Sequence, residues 1–124
     1  MSNALKDLIE LEKDAVKFGF EWPNEKAILE QVVSECDEIQ SAINESEGKD
    51  RIQEEIGDLL HTSISLCRFA NLDVEETLTK TVKKFAHRMQ ALKDITHSRG
   101  LSSLQGQSTK FMLELWSEAK KLDK

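Results

Sequence analysis

Four acidic residues are spaced so that they could act together. Glu35 and Glu38 stand three positions apart, and so do Glu55 and Asp58. On an α-helix, residues three apart share a face. If the two pairs ride on antiparallel neighbouring helices, their carboxylates meet across one groove. Like charges gathered at neutral pH repel, and a divalent cation removes that repulsion. An all-oxygen donor set selects a hard cation, Mg²⁺ or Mn²⁺. One such pair means little, because acids on helical faces are ordinarily solvated. Two pairs that both border an apolar stripe carry more weight. The local charge points the same way. Residues 30–58 hold ten acids against two bases, in a chain whose net charge is only −6.

A second stretch has the opposite sign. From Lys80 to Arg99 there are six bases and one acid, Asp94. Lys84 and Arg88 lie one helical turn apart, beside Phe85. Next to a metal site such a pair could hold phosphate oxygens. It could equally be a solvated cationic face, which suits the C-terminal half of a helix. His87 and His97 read as surface residues. His61, a turn beyond Asp58, reads either as a support behind the carboxylates or as a structural residue. Cys36 and Cys67 fall near apolar stripes and read as buried thiols. Their spacing indicates neither a disulfide framework nor a cysteine zinc site.

Five helices would position these groups. Leu5, Leu8, Leu11, Ala15 and Phe18 recur at helical spacing over about 3–18, and Gly19 stops that helix. Asn24 is a good N-cap for a second helix over about 25–46, with the stripe Ile28, Val32, Cys36, Ile39 and Ile43. Asp50 can cap a third, to about residue 70, with the stripe Ile52, Ile56, Leu59, Leu66. A fourth runs over about 74–98 on Leu78, Val82, Phe85, Met89 and Leu92. A short fifth covers about 109–122, with Met112, Leu115 and Trp116. Gly57 sits inside the third helix at a cost of about 1 kcal/mol relative to alanine. It implies either close helix packing or backbone clearance beside a metal. Connections near residue 48 and near 71–73 are short, so neighbouring helices should run antiparallel. The expected fold class is all-α: an up-and-down helical bundle with a four-helix core plus a short terminal helix, in a single domain over 1–124.

Composition excludes several alternatives. At 124 residues there is room for one domain. With one Pro, five Gly and no Tyr, the chain does not resemble a turn-rich sandwich or barrel. No window is apolar for long enough to span a membrane. The N-terminus carries acids and lacks the layout of a signal peptide, so a cytoplasmic location is expected. Overall acidity speaks against a nucleic-acid polymer as partner. The broad apolar face of the second to fourth helices predicts a homo-oligomer.

Taken together, the motifs resemble those of the MazG family of all-α nucleoside triphosphate pyrophosphohydrolases. The family's Glu-Glu-x-x-Glu appears as Ser34-Glu35-Cys36-Asp37-Glu38. After a spacer of 16 residues, Glu-x-x-Asp appears as Glu55-Ile56-Gly57-Asp58. The later signatures are Lys84-Phe85-Ala86-His87-Arg88 and Leu115-Trp116-Ser117-Glu118-Ala119-Lys120, and the early Gly19–Pro23 segment is also similar. The resemblance implies that Glu35, Glu38, Glu55 and Asp58 bind Mg²⁺ (or Mn²⁺), and that Lys84, Arg88, Trp116 and Lys120 contact the nucleotide or its phosphates. It implies hydrolysis of a nucleoside triphosphate to a monophosphate and pyrophosphate, with Glu38 and Glu54 as candidates for the base. It implies a homodimer or a dimer of dimers, and a role in clearing noncanonical or excess nucleotides. Three positions depart from the pattern: Ser34 replaces the first Glu, His61 replaces a usual Phe, and Val82 replaces a common Asn. The first and last favour the alternative of a noncatalytic nucleotide-binding or protein-binding helical dimer.

Overall fold

Capping chemistry and apolar periodicity account for most of the helix boundaries. The computed structural model describes residues 2–122. It contains α1 (Asn3–Phe18), α2 (Glu25–Asn44), α3 (Lys49–Phe69), α4 (Val74–Ser98) and α5 (Thr109–Leu122). No strand occurs among the described residues, so the chain is all-α as expected. The Asn24 side chain accepts the Ala27 N–H at 2.9 Å, which begins α2. Asp73 accepts the Glu76 N–H at 2.8 Å and begins α4. Ser108 accepts the Phe111 N–H at 3.1 Å and begins α5. Gly19, at φ +100°, takes the left-handed geometry that ends α1.

Two boundaries differ from expectation. α2 ends at Asn44, because the chain turns through Ser46 at φ 51°. α3 begins at Lys49 without Asp50 as its cap. Gly48, at φ 95°, delivers the chain into the helix, and no side chain caps it.

The chain forms two compact units, Met1–Thr77 and Leu78–Lys124. In the first, α2 and α3 pack against each other in antiparallel fashion, joined by the short turn at 45–48. Ile28 and Ala42 are buried there, along with Thr62 and Ser65. In the second, Leu92, Leu115 and Ala119 form a core, covered by Met89, Ile95, Leu104, Phe111 and Trp116. Arg99 donates two hydrogen bonds to the Glu118 carboxylate, at 2.8 and 2.9 Å, and ties the end of α4 to α5.

Several apolar stripes are not buried in the single chain. That core gathers around the C-terminal half of α4, so Leu78, Val82 and Phe85 stay exposed. α1 buries no residue fully, and Leu11 and Phe18 are exposed. Cys36 is exposed rather than buried, and Cys67 is half-buried. No helix among the described residues is long and apolar enough to cross a membrane.

Candidate metal centre

The packing of α2 against α3 brings Glu35 together with Glu55 and Asp58. Glu35 is 7% exposed and Glu55 is 2% exposed, whereas Asp58 is open to solvent. One oxygen from each of these three carboxylates lies within 4.8 Å of the other two. Such burial is unusual for acids without partners. Each buried carboxylate has one oxygen held by a donor one turn earlier on its own helix. Gln31 Nε2 donates to Glu35 Oε1 at 2.6 Å, and Arg51 Nη2 donates to Glu55 Oε1 at 2.5 Å. The second oxygens, Glu35 Oε2 and Glu55 Oε2, are buried with no hydrogen-bond partner. Two orphaned buried carboxylate oxygens and an all-oxygen donor set fit a hard divalent cation.

Electrostatics agree with that fit. The Glu55 carboxyl is held above the usual carboxylate range. The neighbouring Glu38 carboxyl is the largest cause, and burial is the next. The Arg51 guanidinium opposes the shift, while the charges of Glu38 and Asp58 add to it. A cation at the cluster would remove the need for that extra proton.

The other expected site residues divide as follows. Glu38 is exposed on α2 and reaches Glu55. Glu54 points away on the exposed side of α3, where Arg51 Nη1 donates to its Oε2 at 3.1 Å. Ser34 lines an open acidic groove with Glu38, Arg51 and Glu55. In the second unit, Lys84 and Arg88 lie on α4, with Lys84 exposed and Arg88 half-buried. Trp116 and Lys120 lie on α5, and the Trp116 ring packs on Phe85 with centroids 6.0 Å apart. Arg51 and Gln31 were missed by sequence reasoning. Each stands four residues before a buried acid, a spacing that could have revealed them. His61 is exposed and pairs with Glu12 of α1 at 3.1 Å, which supports its structural reading.

Comparison with known proteins adds to the geometry. The model described as the MazG nucleotide pyrophosphohydrolase domain matches residues 24–92, which include α2, α3 and most of α4. A Thermotoga maritima protein named nucleoside triphosphate pyrophosphohydrolase/pyrophosphatase MazG is 30% identical over 110 residues, covering 89% of this chain and 41% of that protein. The Escherichia coli K12 nucleoside triphosphate pyrophosphohydrolase is 28% identical over 123 residues, covering 95% of this chain and 45% of its own length. An uncharacterized Bacillus subtilis protein, YabN, is 32% identical over 81 residues, 65% of this chain and 16% of YabN. The chain thus spans less than half the length of each of these relatives.

Proposed function

Since the chain belongs to the MazG nucleotide pyrophosphohydrolase family, we propose that it hydrolyses nucleoside triphosphates to monophosphates and pyrophosphate in a Mg²⁺-dependent reaction. The cluster of Glu35, Glu55 and Asp58, with its two unpartnered buried oxygens, carries this reading. These three side chains, with Glu38 at their edge, would hold the cation. A bound Mg²⁺ or Mn²⁺ would polarise the phosphates and make a bound water easier to deprotonate. Glu38 is the base in this reading, because its carboxyl is solvent-accessible and lies beside Glu55 at the edge of the cluster. Glu54 is the weaker candidate, since Arg51 occupies its carboxylate. The water oxygen bonds to phosphorus, its proton passes to Glu38, and the α–β bridging bond breaks. Lys84, Arg88 and Lys120 would neutralise charge on the phosphates, and Trp116 would contact the nucleotide.

The substrates proposed are noncanonical or surplus nucleotides of the cytoplasm. The assembly proposed is a homodimer or dimer of dimers, supported by the exposed apolar residues of α4. The test is pyrophosphate release from a panel of nucleoside triphosphates with and without Mg²⁺. Release that requires Mg²⁺ supports the reading. No release from any nucleotide, with no Mg²⁺-dependent thermal shift, would overturn it and favour the noncatalytic alternative. Glu38→Gln should lower turnover by about two orders of magnitude or more while preserving the fold.

A further inference from the structure

The two buried carboxylates of the metal centre are each held by a residue outside the ligand set. In an α-helix the Cα–Cβ bond leans toward the N-terminus, so a glutamate reaches the side chain four positions before it. At Glu35 that side chain is Gln31, and at Glu55 it is Arg51. Gln31 Nε2 donates to Glu35 Oε1 at 2.6 Å, and Arg51 Nη2 donates to Glu55 Oε1 at 2.5 Å. The planar Arg51 guanidinium is itself fixed, since its Nη1 donates to Glu54 Oε2 at 3.1 Å. Glu35 Oε2 and Glu55 Oε2 are buried without a hydrogen-bond partner. The same arrangement therefore arises twice, on two different helices: the chain takes Oε1 and leaves Oε2.

That arrangement decides how many oxygens a cation can draw from the two glutamates. Ca²⁺ takes about six to eight oxygens and is often served by carboxylates that lend both of theirs. Mg²⁺ is smaller, demands a near-ideal octahedron and keeps several waters. A glutamate whose Oε1 is already bonded offers a cation one oxygen rather than two. Glu35 and Glu55 thus supply one each, with Asp58 beside them. A small protein donor set completed by water suits Mg²⁺ and leaves Ca²⁺ undersupplied.

We propose that Gln31 and Arg51 are positioning residues that set the cation preference of the centre, holding Glu35 and Glu55 to one oxygen each and so favouring Mg²⁺ over Ca²⁺. The proposal rests on the metal-dependent function proposed above and says what makes the site choose its metal. The two donors make the same bond but differ in charge, and that separates two effects. The Arg51 charge repels every divalent cation alike, so it changes Mg²⁺ and Ca²⁺ affinity together. Its hydrogen bond acts on their ratio. Gln31 supplies the hydrogen bond with no charge at all.

In the experiment, Mn²⁺ bound to the full chain is followed by electron paramagnetic resonance and displaced with Mg²⁺ or with Ca²⁺. This gives the ratio of the two affinities without any turnover. The unaltered chain should prefer Mg²⁺. Gln31→Leu and Arg51→Met should each shift the ratio toward Ca²⁺, and the double variant should shift it by about tenfold or more. Arg51→Lys can still donate to Glu55 and should keep most of the preference. Helicity and melting check each fold; should one variant fail to fold, the other, on a different helix, provides the same comparison. A ratio that stays within about twofold in the folded variants would overturn the proposal, even if both cations bind less tightly. So would an unaltered chain that prefers Ca²⁺ or does not discriminate. Glu35→Gln should release Mn²⁺; an ion that stays bound in that variant sits elsewhere and also overturns the proposal. If the unaltered chain binds no Mn²⁺, the proposed function itself fails. Mn²⁺ that depends on Glu35, with an unmoved ratio, defeats only the role of Gln31 and Arg51.

Discussion

Glu55 concentrates the residue-level argument. It is buried, paired with Arg51 through one oxygen, and unpartnered at the other. Its proton affinity is raised in the folded chain. The folded state therefore keeps a proton that the unfolded state releases first. The stability contributed by that proton is complete below the unfolded-state value and is lost as pH rises through the higher folded value. Without divalent cations, the melting temperature should fall as pH rises through that window. With Mg²⁺ the fall should disappear, because the cation replaces the proton. Thermal melts across pH, with chelator and with Mg²⁺, check this, and Glu55→Gln should remove the dependence. The i, i+3 acids were legible in the sequence because helical periodicity is local. The hydrogen bonds that Ser65 and Arg68 donate to Glu12 were not, since these partners lie 53 and 56 residues away and only tertiary packing brings them close. Cys36 read as buried from its stripe, yet it is exposed.

At the scale of elements, α3 is the working helix. It carries Glu55 and Asp58, and also Ser65 and Arg68, which donate to Glu12 of α1. Gly57 interrupts its helix propensity. A methyl group built there meets no atom within 4 Å, so neither close packing nor clearance beside neighbouring side chains requires the glycine. Gly57→Ala should stabilise the protein by about 1 kcal/mol, read as a higher midpoint in urea. A loss of stability would mean that something covers this face in solution. The start of α2 was legible from Asn24, whose side chain caps as its type predicts, whereas Asp73 read only as part of a turn and in fact caps α4. The start of α3 was misread at Asp50. A glycine with positive φ can lead the chain into a helix without a side-chain cap, and that choice depends on the turn before it.

For the whole molecule, exposed apolar surface is the dominant feature. Leu78, Val82 and Phe85 are 51%, 59% and 57% exposed on one stretch of α4. Monomers rarely leave such stripes open to water. In solution the chain should scatter light as a species of at least twice its 14.1 kDa mass. Val82→Glu should shift the distribution toward monomer, because a charge on an apolar interface costs desolvation. An unchanged mass would place the interface elsewhere. The stripe itself was legible from period 3.6, but its burial was not: periodicity marks a face that seeks a partner without saying whether the partner lies in the same chain.

The turn at 45–48 also governs which length changes the protein can survive. Added residues there would be absorbed by the loop, leaving both helices phased as before. One residue added between Gly48 and Glu55 would swing Glu55 and Asp58 about 100° around the axis of α3 and out of alignment with Glu35. The hairpin thus behaves like a vernier with an elastic end. Natural length variation should gather in the turn, while each helical arm tolerates only insertions that restore its phase.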